Sequence, residues 1–232
     1  MLNGTADRHS VDVVSNWLTS SPVTLGVDVS GITYRQMALP NSLPLEFDRG
    51  VVTTVHQGDC HVSGEIDLTY STVLGSCISA CVRDRVANVG GMNHFLLAEQ
   101  SGAAKDRYGA SARYGAFAME QLINKVLSKG SGRKSNLEIK IFGGGKISCA
   151  LDDVGLKNIE FVRQFLIDEG YVAASEDLGG SYARRVLFKP HSGRAFVKRL
   201  DSDAGANVAR EEIAIAKRRV IVPAPVDDIE LF

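Results

Sequence analysis

The sequence predicts a layered α/β (α+β) sandwich, built from mixed or antiparallel β-sheets with one prominent hairpin and two main helices. Short apolar and β-branched runs crowd the stretch from Val51 to Leu97, two longer windows repeat their apolar residues at helical spacing, and strands and helices do not alternate regularly. On the same pattern the chain divides into an amino-terminal extension over 1–50, a main domain over 51–190 and a tail over 191–232.

The extension reads as loosely structured, because turn-forming pieces such as Leu39-Pro40-Asn41-Ser42-Leu43-Pro44 separate only brief apolar runs. Val51 to Val55 and Glu65 to Leu74 are β-rich, the second alternating apolar and polar, and both read as strands. Cys77 to Arg83 and Val89 to Leu97 flank Asp84-Arg85-Val86-Ala87-Asn88, whose polar ends suit a turn. The first helix spans about 111–128, with Tyr114, Phe117, Ala118, Leu122 and Val126 as its apolar stripe and Gly130 as its stop. Leu137 to Phe142 alternates as a strand and enters Gly143-Gly144-Gly145, after which Asn158 caps a second helix that Gly170 ends. Strands follow at 171–175 and 182–188. In the tail, acidic and basic residues balance, and a short charged helix over 208–219 precedes Pro223 and Pro225.

Composition excludes several classes of function. At 44% apolar and 23% charged the 232-residue chain is of ordinary globular type, and its net charge of -1 offers no global attraction for nucleic acid or an anionic membrane. With no apolar run of membrane-spanning length and no export-type start, a cytoplasmic location and reduced cysteines are expected. Cys60, Cys77, Cys81 and Cys149 are too scattered for a disulfide framework, and Cys60-His61 lacks the second ligand pair of a zinc site. Gly143-Gly144-Gly145-Lys146 lacks the spacing of a phosphate loop and reads as a close-packed turn or active-site rim. Neither cofactor nor metal is called for.

Chemistry concentrates on one pair. Leu74-Gly75-Ser76-Cys77 sets a thiol at a sharp backbone break just after a strand, and Gly90-Gly91-Met92-Asn93-His94 sets an imidazole behind two glycines. A hairpin turning between Arg85 and Val86 puts Cys77 opposite His94 on one face, making it a catalytic hairpin in which the ring withdraws the thiol proton and then protonates a departing amine. The ring also needs an orienting hydroxyl, and on the preceding strand both Ser71 and Thr72 qualify, with alternation toward Cys77 favouring Ser71. Cys81 reads as core.

Thr72 to Asp84 and Gly90 to Leu97 closely resemble the CheD family of bacterial chemoreceptor glutamine deamidases. Arg113-Tyr114-Gly115, Ala118 to Ile123, Lys140 to Gly144, Gly155 to Asn158 with Phe161-Val162, Asp177 to Gly180 and Arg184 to Val186 extend the resemblance, which covers about 50–195. It implies a protein-glutamine deamidase with Cys77 as nucleophile, His94 as its imidazole, and a third residue, usually threonine, falling on Ser71, with Thr72 as fallback. Gly145-Lys146-Ile147 departs from the family's usual Ala-Asn-Met. The implied substrate is the cytoplasmic coiled coil of a chemoreceptor, and a CheC-type phosphatase is an implied partner. A non-catalytic adaptor and a general cysteine protease are the competing readings.

Overall fold

The computed structural model describes residues 25–27, 33–35, 50–97, 110–148 and 154–219. Cys149, most of the amino-terminal extension and residues 220–232, with Pro223 and Pro225, lie outside them. The chain divides into two units, Met1–Ser42 and Leu43–Phe232. In the first, β1 (Leu25–Val27) and β2 (Thr33–Arg35) pair antiparallel, so the extension read as loosely structured contains a strand pair.

The second unit holds two sheets. One contains β3 (Val51–Thr54), β5 (Leu68–Leu74), β10 (Arg184–Phe188) and β11 (Ala195–Arg199) in the order β11-β10-β5-β3. The other contains β4 (Cys60–Ser63), β6 (Ile78–Asp84), β7 (Val89–Asn93), β8 (Leu137–Gly143) and β9 (Ala173–Leu178) in the order β4-β7-β6-β8-β9. Among the described residues only the β3–β5 and β8–β9 pairs are parallel. Both sheets are therefore mixed, one of the two alternatives the sequence leaves open.

Helices α1 (Ala110–Lys129) and α2 (Val154–Asp168) cover one face of the five-stranded sheet. Period-two alternation along β6 explains the layering: Ile78, Ala80 and Val82 pack with Met119, Leu122 and Val126 of α1 and Val162 and Phe165 of α2. Cys81, with Cys77 just before the strand, points the other way and joins Leu68, Tyr70, Leu74, Val186 and Phe188 of the four-stranded sheet. The order is helices, sheet, sheet. Phe117, assigned to the apolar stripe of α1, is 60% exposed, because the stripe runs through Met119, Leu122, Ile123 and Val126.

Three further differences bear on the site. First, Ile78 faces Phe95 and Cys81 faces Met92, a register two residues removed from the one expected. An even shift preserves the face on which each side chain lies, so Cys77 and His94 still share the side facing the other sheet, now as diagonal neighbours. Second, α2 begins at Val154, so Asn158 is a buried residue inside the helix and not its cap. Third, β11 and helix α3 (Ser202–Arg219) extend regular structure well beyond residue 190, with β11 pairing to β10. Those segments read as a tail because their charge balance hid the few apolar residues that pack.

Candidate active site

The turn at residues 75–77 carries the chain from β5 in one sheet to β6 in the other, and so places Cys77 between the sheets. Gly75 leaves room for two side-chain ends: a Cβ there would lie 2.1 Å from Ile147 Cδ1 and 2.9 Å from both carboxylate oxygens of Glu212 and would displace them. From the other side the glycine run supports the turn, with Gly144 N donating to Cys77 O at 2.8 Å and Gly145 N donating to Gly75 O at 2.7 Å. Gly143, at φ 116°, passes so close that a Cβ would stand 2.0 Å from the Cys77 carbonyl oxygen. The close-packed reading of Gly143-Gly144-Gly145 thus has a specific form, a backbone cradle under the 75–77 turn.

Cys77 is 1% exposed and His94 8%. The hydroxyl that meets the ring belongs to Thr72, whose Oγ1 lies 2.9 Å from His94 Nδ1. Ser71, which alternation toward Cys77 favoured, sits on the opposite face of β5, beside Leu187 of β10. Strand parity does not carry through to Cys77, because the chain leaves β5 at Leu74 and turns into another sheet.

The hydrogen bonds determine the ring's tautomer. Thr72 Oγ1 donates its single proton to Val55 O at 2.7 Å, so toward His94 it accepts, and Nδ1 must carry the ring hydrogen. Nε2 is left with its lone pair, and it is buried without a hydrogen-bond partner among the described residues. Burial pushes His94 down to about 4, against the upward pull of the Val55 carbonyl and the Glu212 and Asp59 carboxylates. The resting ring is neutral, ready to act as a base at Nε2.

Two residues that sequence reasoning did not connect with the site bond to the 75–77 turn from two different helices. Asn158 donates through Nδ2 to Ser76 O at 2.7 Å and accepts at Oδ1 from Leu97 N at 2.9 Å, tying the 75–77 turn to the segment that follows His94. Glu212, on α3, accepts from Gly75 N at 3.2 Å, from Ser76 N at 3.0 Å and from Ser76 Oγ at 2.7 Å. A sequence signal for Glu212 existed: it falls among Val208, Ala209 and Ile213, on the apolar stripe of a charged helix. Burial pushes the Cys81 thiol well up, which suits core packing and not nucleophilic attack. Among the described residues no three His, Cys, Asp or Glu side chains converge as a metal set, and no helix is long and apolar enough to cross a membrane.

The family described as CheD chemotactic sensory transduction matches residues 96–199. A Ruegeria sp. (strain TM1040) protein named "Probable chemoreceptor glutamine deamidase CheD 1" is 46% identical over 192 residues, covering 80% of this chain and 98% of its own. A Caulobacter sp. (strain K31) protein named "Probable chemoreceptor glutamine deamidase CheD" is 48% identical over 188 residues, covering 80% and 96%. A relative of the same name from Zymomonas mobilis is 43% identical over 178 residues, covering 77% and 91%. With that identity along nearly the whole length of its relatives, the chain belongs to the CheD family.

Proposed function

We propose that this protein is a chemoreceptor glutamine deamidase in which Cys77 is the nucleophile, His94 the acid–base group and Thr72 the residue that orients the ring. One observation carries the assignment of roles: the Val55–Thr72–His94 chain leaves the Nε2 lone pair on the face that His94 shares with Cys77. Its relatives' names supply the substrate, a glutamine of a chemoreceptor.

Nε2 takes the Cys77 thiol proton, and the thiolate attacks the carboxamide carbon of the glutamine. The tetrahedral oxyanion is held by amides of the 75–77 turn. His94 returns the proton to nitrogen, the C–N bond breaks, and ammonia leaves a thioester on Cys77. His94 then withdraws a proton from water, hydroxide adds to the thioester, and the C–S bond breaks to give glutamate and the thiol.

The substrate segment is the receptor's cytoplasmic coiled coil, which places the reaction in the cytoplasm. Mass spectrometry of a receptor fragment incubated with the protein tests this reading: amide-to-acid conversion at defined glutamines is expected with the parent, and its persistence with Cys77→Ala contradicts the reading. Backbone cleavage in place of deamidation would identify a protease. A CheC-type phosphatase is the second proposed partner, tested by its capture on Cys77→Ala protein.

A further inference from the structure

Cys77 is buried, yet a receptor glutamine has to reach it, so some part of the closed structure must move. Helix α3, like α2 through Asn158, reaches the 75–77 turn from outside the two sheets, and it alone of the two does so with a carboxylate. It begins just after residue 199, where the family match ends, and follows a short connection at Leu200 and Asp201. Its inward stripe is Gly205, Val208, Ala209, Glu212 and Ile213, with Ile213 packed on the core that contains Cys77, Leu74 and Val154.

A carboxylate in the middle of that stripe is costly to bury unless it is fully bonded. Glu212 meets the condition by binding two consecutive amides and a hydroxyl of residues 75 and 76, immediately before the nucleophile. As a fixture for a thiol nucleophile this is a poor choice, since a negative charge beside the turn opposes formation of the thiolate. As an occupant it has a clear meaning. A glutamate side chain projecting from a helix is the product of the proposed reaction, and amides of this turn are the groups that would hold its oxygen.

We propose that α3 occupies the seat of the substrate helix, with Glu212 held where the receptor glutamate stands after deamidation, so that α3 must lift for a receptor to enter. The inference rests on the deamidase reading and adds to it a docking groove for one substrate helix and a built-in competitor for that groove.

The full-length chain tests it in both directions. An ideal Cβ at Gly205 lies 4.0 Å from Ala183 Cβ, inside the disulfide range of about 3.5–4.5 Å, so Ala183→Cys with Gly205→Cys pins α3 down reversibly. Alkylation of Cys77 by iodoacetamide, followed by peptide mass spectrometry, reads access to the site without any turnover. The oxidised pair is expected to alkylate Cys77 about tenfold more slowly than the reduced pair and to stop deamidating the receptor fragment until reductant is added. Glu212→Ala is expected to alkylate faster than the parent and to deamidate with a lower KM at similar kcat. Equal Cys77 alkylation in the oxidised and reduced pair overturns the proposal, and so does Glu212→Ala with slower alkylation and reduced kcat, which would make Glu212 a support of the turn. Either result leaves the deamidase reading standing; absence of deamidation by the parent chain removes that reading itself.

Discussion

Asn93 and His94, adjacent in sequence and on opposite sides of the five-stranded sheet, are hydrogen-bonded in different ways. Toward the helices, Asn93 accepts from Ala80 N at 2.8 Å and donates to Ala118 O at 2.9 Å, and Asn158 is likewise bonded at both ends of its carboxamide. Toward the other sheet, His94 is bonded at Nδ1 and left open at Nε2. Burying a polar atom with its hydrogen bond unmade costs about 1–3 kcal/mol, and the atoms left so among the described residues are His94 Nε2, Thr69 Oγ1, Ser79 Oγ, Tyr171 OH and Arg184 Nε. His94 Nε2 lies on the side of the sheet that Cys77 shares, and in the proposed reaction it takes the thiol proton.

Removal of the two central thiols tests that contrast most severely. Cys77→Ala is expected to lower receptor deamidation by roughly 10⁴-fold or more, measured by ammonia release, whereas Cys81→Ala, in the same core, retains most of its activity per folded molecule. Comparable losses from both would erase the distinction between a reactive and a packing cysteine.

On the helix side the effect moves from rate to stability. Leu122→Ala empties a fully buried site packed against Gly91 and is expected to lower the unfolding free energy by about 2–5 kcal/mol in urea, leaving deamidation per folded molecule close to the parent's. A large drop in kcat would show that α1 helps shape the catalytic face.

His94 links the two properties through pH. Its folded value of about 4 lies below the ordinary 6.5, so the unfolded chain binds the proton first. Stability from this group is therefore complete above pH 6.5 and is lost as pH falls toward 4, on the order of 3 kcal/mol in all. Parallel urea melts of the parent and His94→Gln read it: the parent should lose more stability over that window, and identical pH slopes would show that burial does not hold the ring neutral.

The smallest expected effect separates two adjacent hydroxyls. Thr72→Val removes the ring's orienting bond and is expected to cost roughly 10- to 100-fold in kcat, while Ser71→Ala, on the outer face of β5, changes kcat by less than about twofold. A reversal of that order would return the orienting role to Ser71.

These neighbours show where sequence reasoning reaches its limit. Alternation identifies β5 and the two faces it presents, but choosing between residues 71 and 72 needs the fact that Cys77 belongs to a different sheet. Asn158 reads as a cap because asparagine favours helix starts, and only the packing of α2 against the 75–77 turn and Leu97 reveals its two bonds. Glu212 is separated from Ser76 by 136 residues, a contact that no local pattern encodes.

By itself the sequence determined the layered sandwich, the helices α1 and α2, and the placing of one thiol and one imidazole on a shared face, while leaving mixed and antiparallel sheets as alternatives. All of these follow from short-range regularities: apolar periods of two and of about three and a half, turn residues, and a register error of even length that leaves the face unchanged. Tertiary structure alone decided which hydroxyl meets the His94 ring, how far burial depresses its proton affinity, and that a carboxylate from the far end of the chain sits on the 75–77 turn. Those are properties of distance and desolvation, and they exist only once segments remote in sequence are brought into contact.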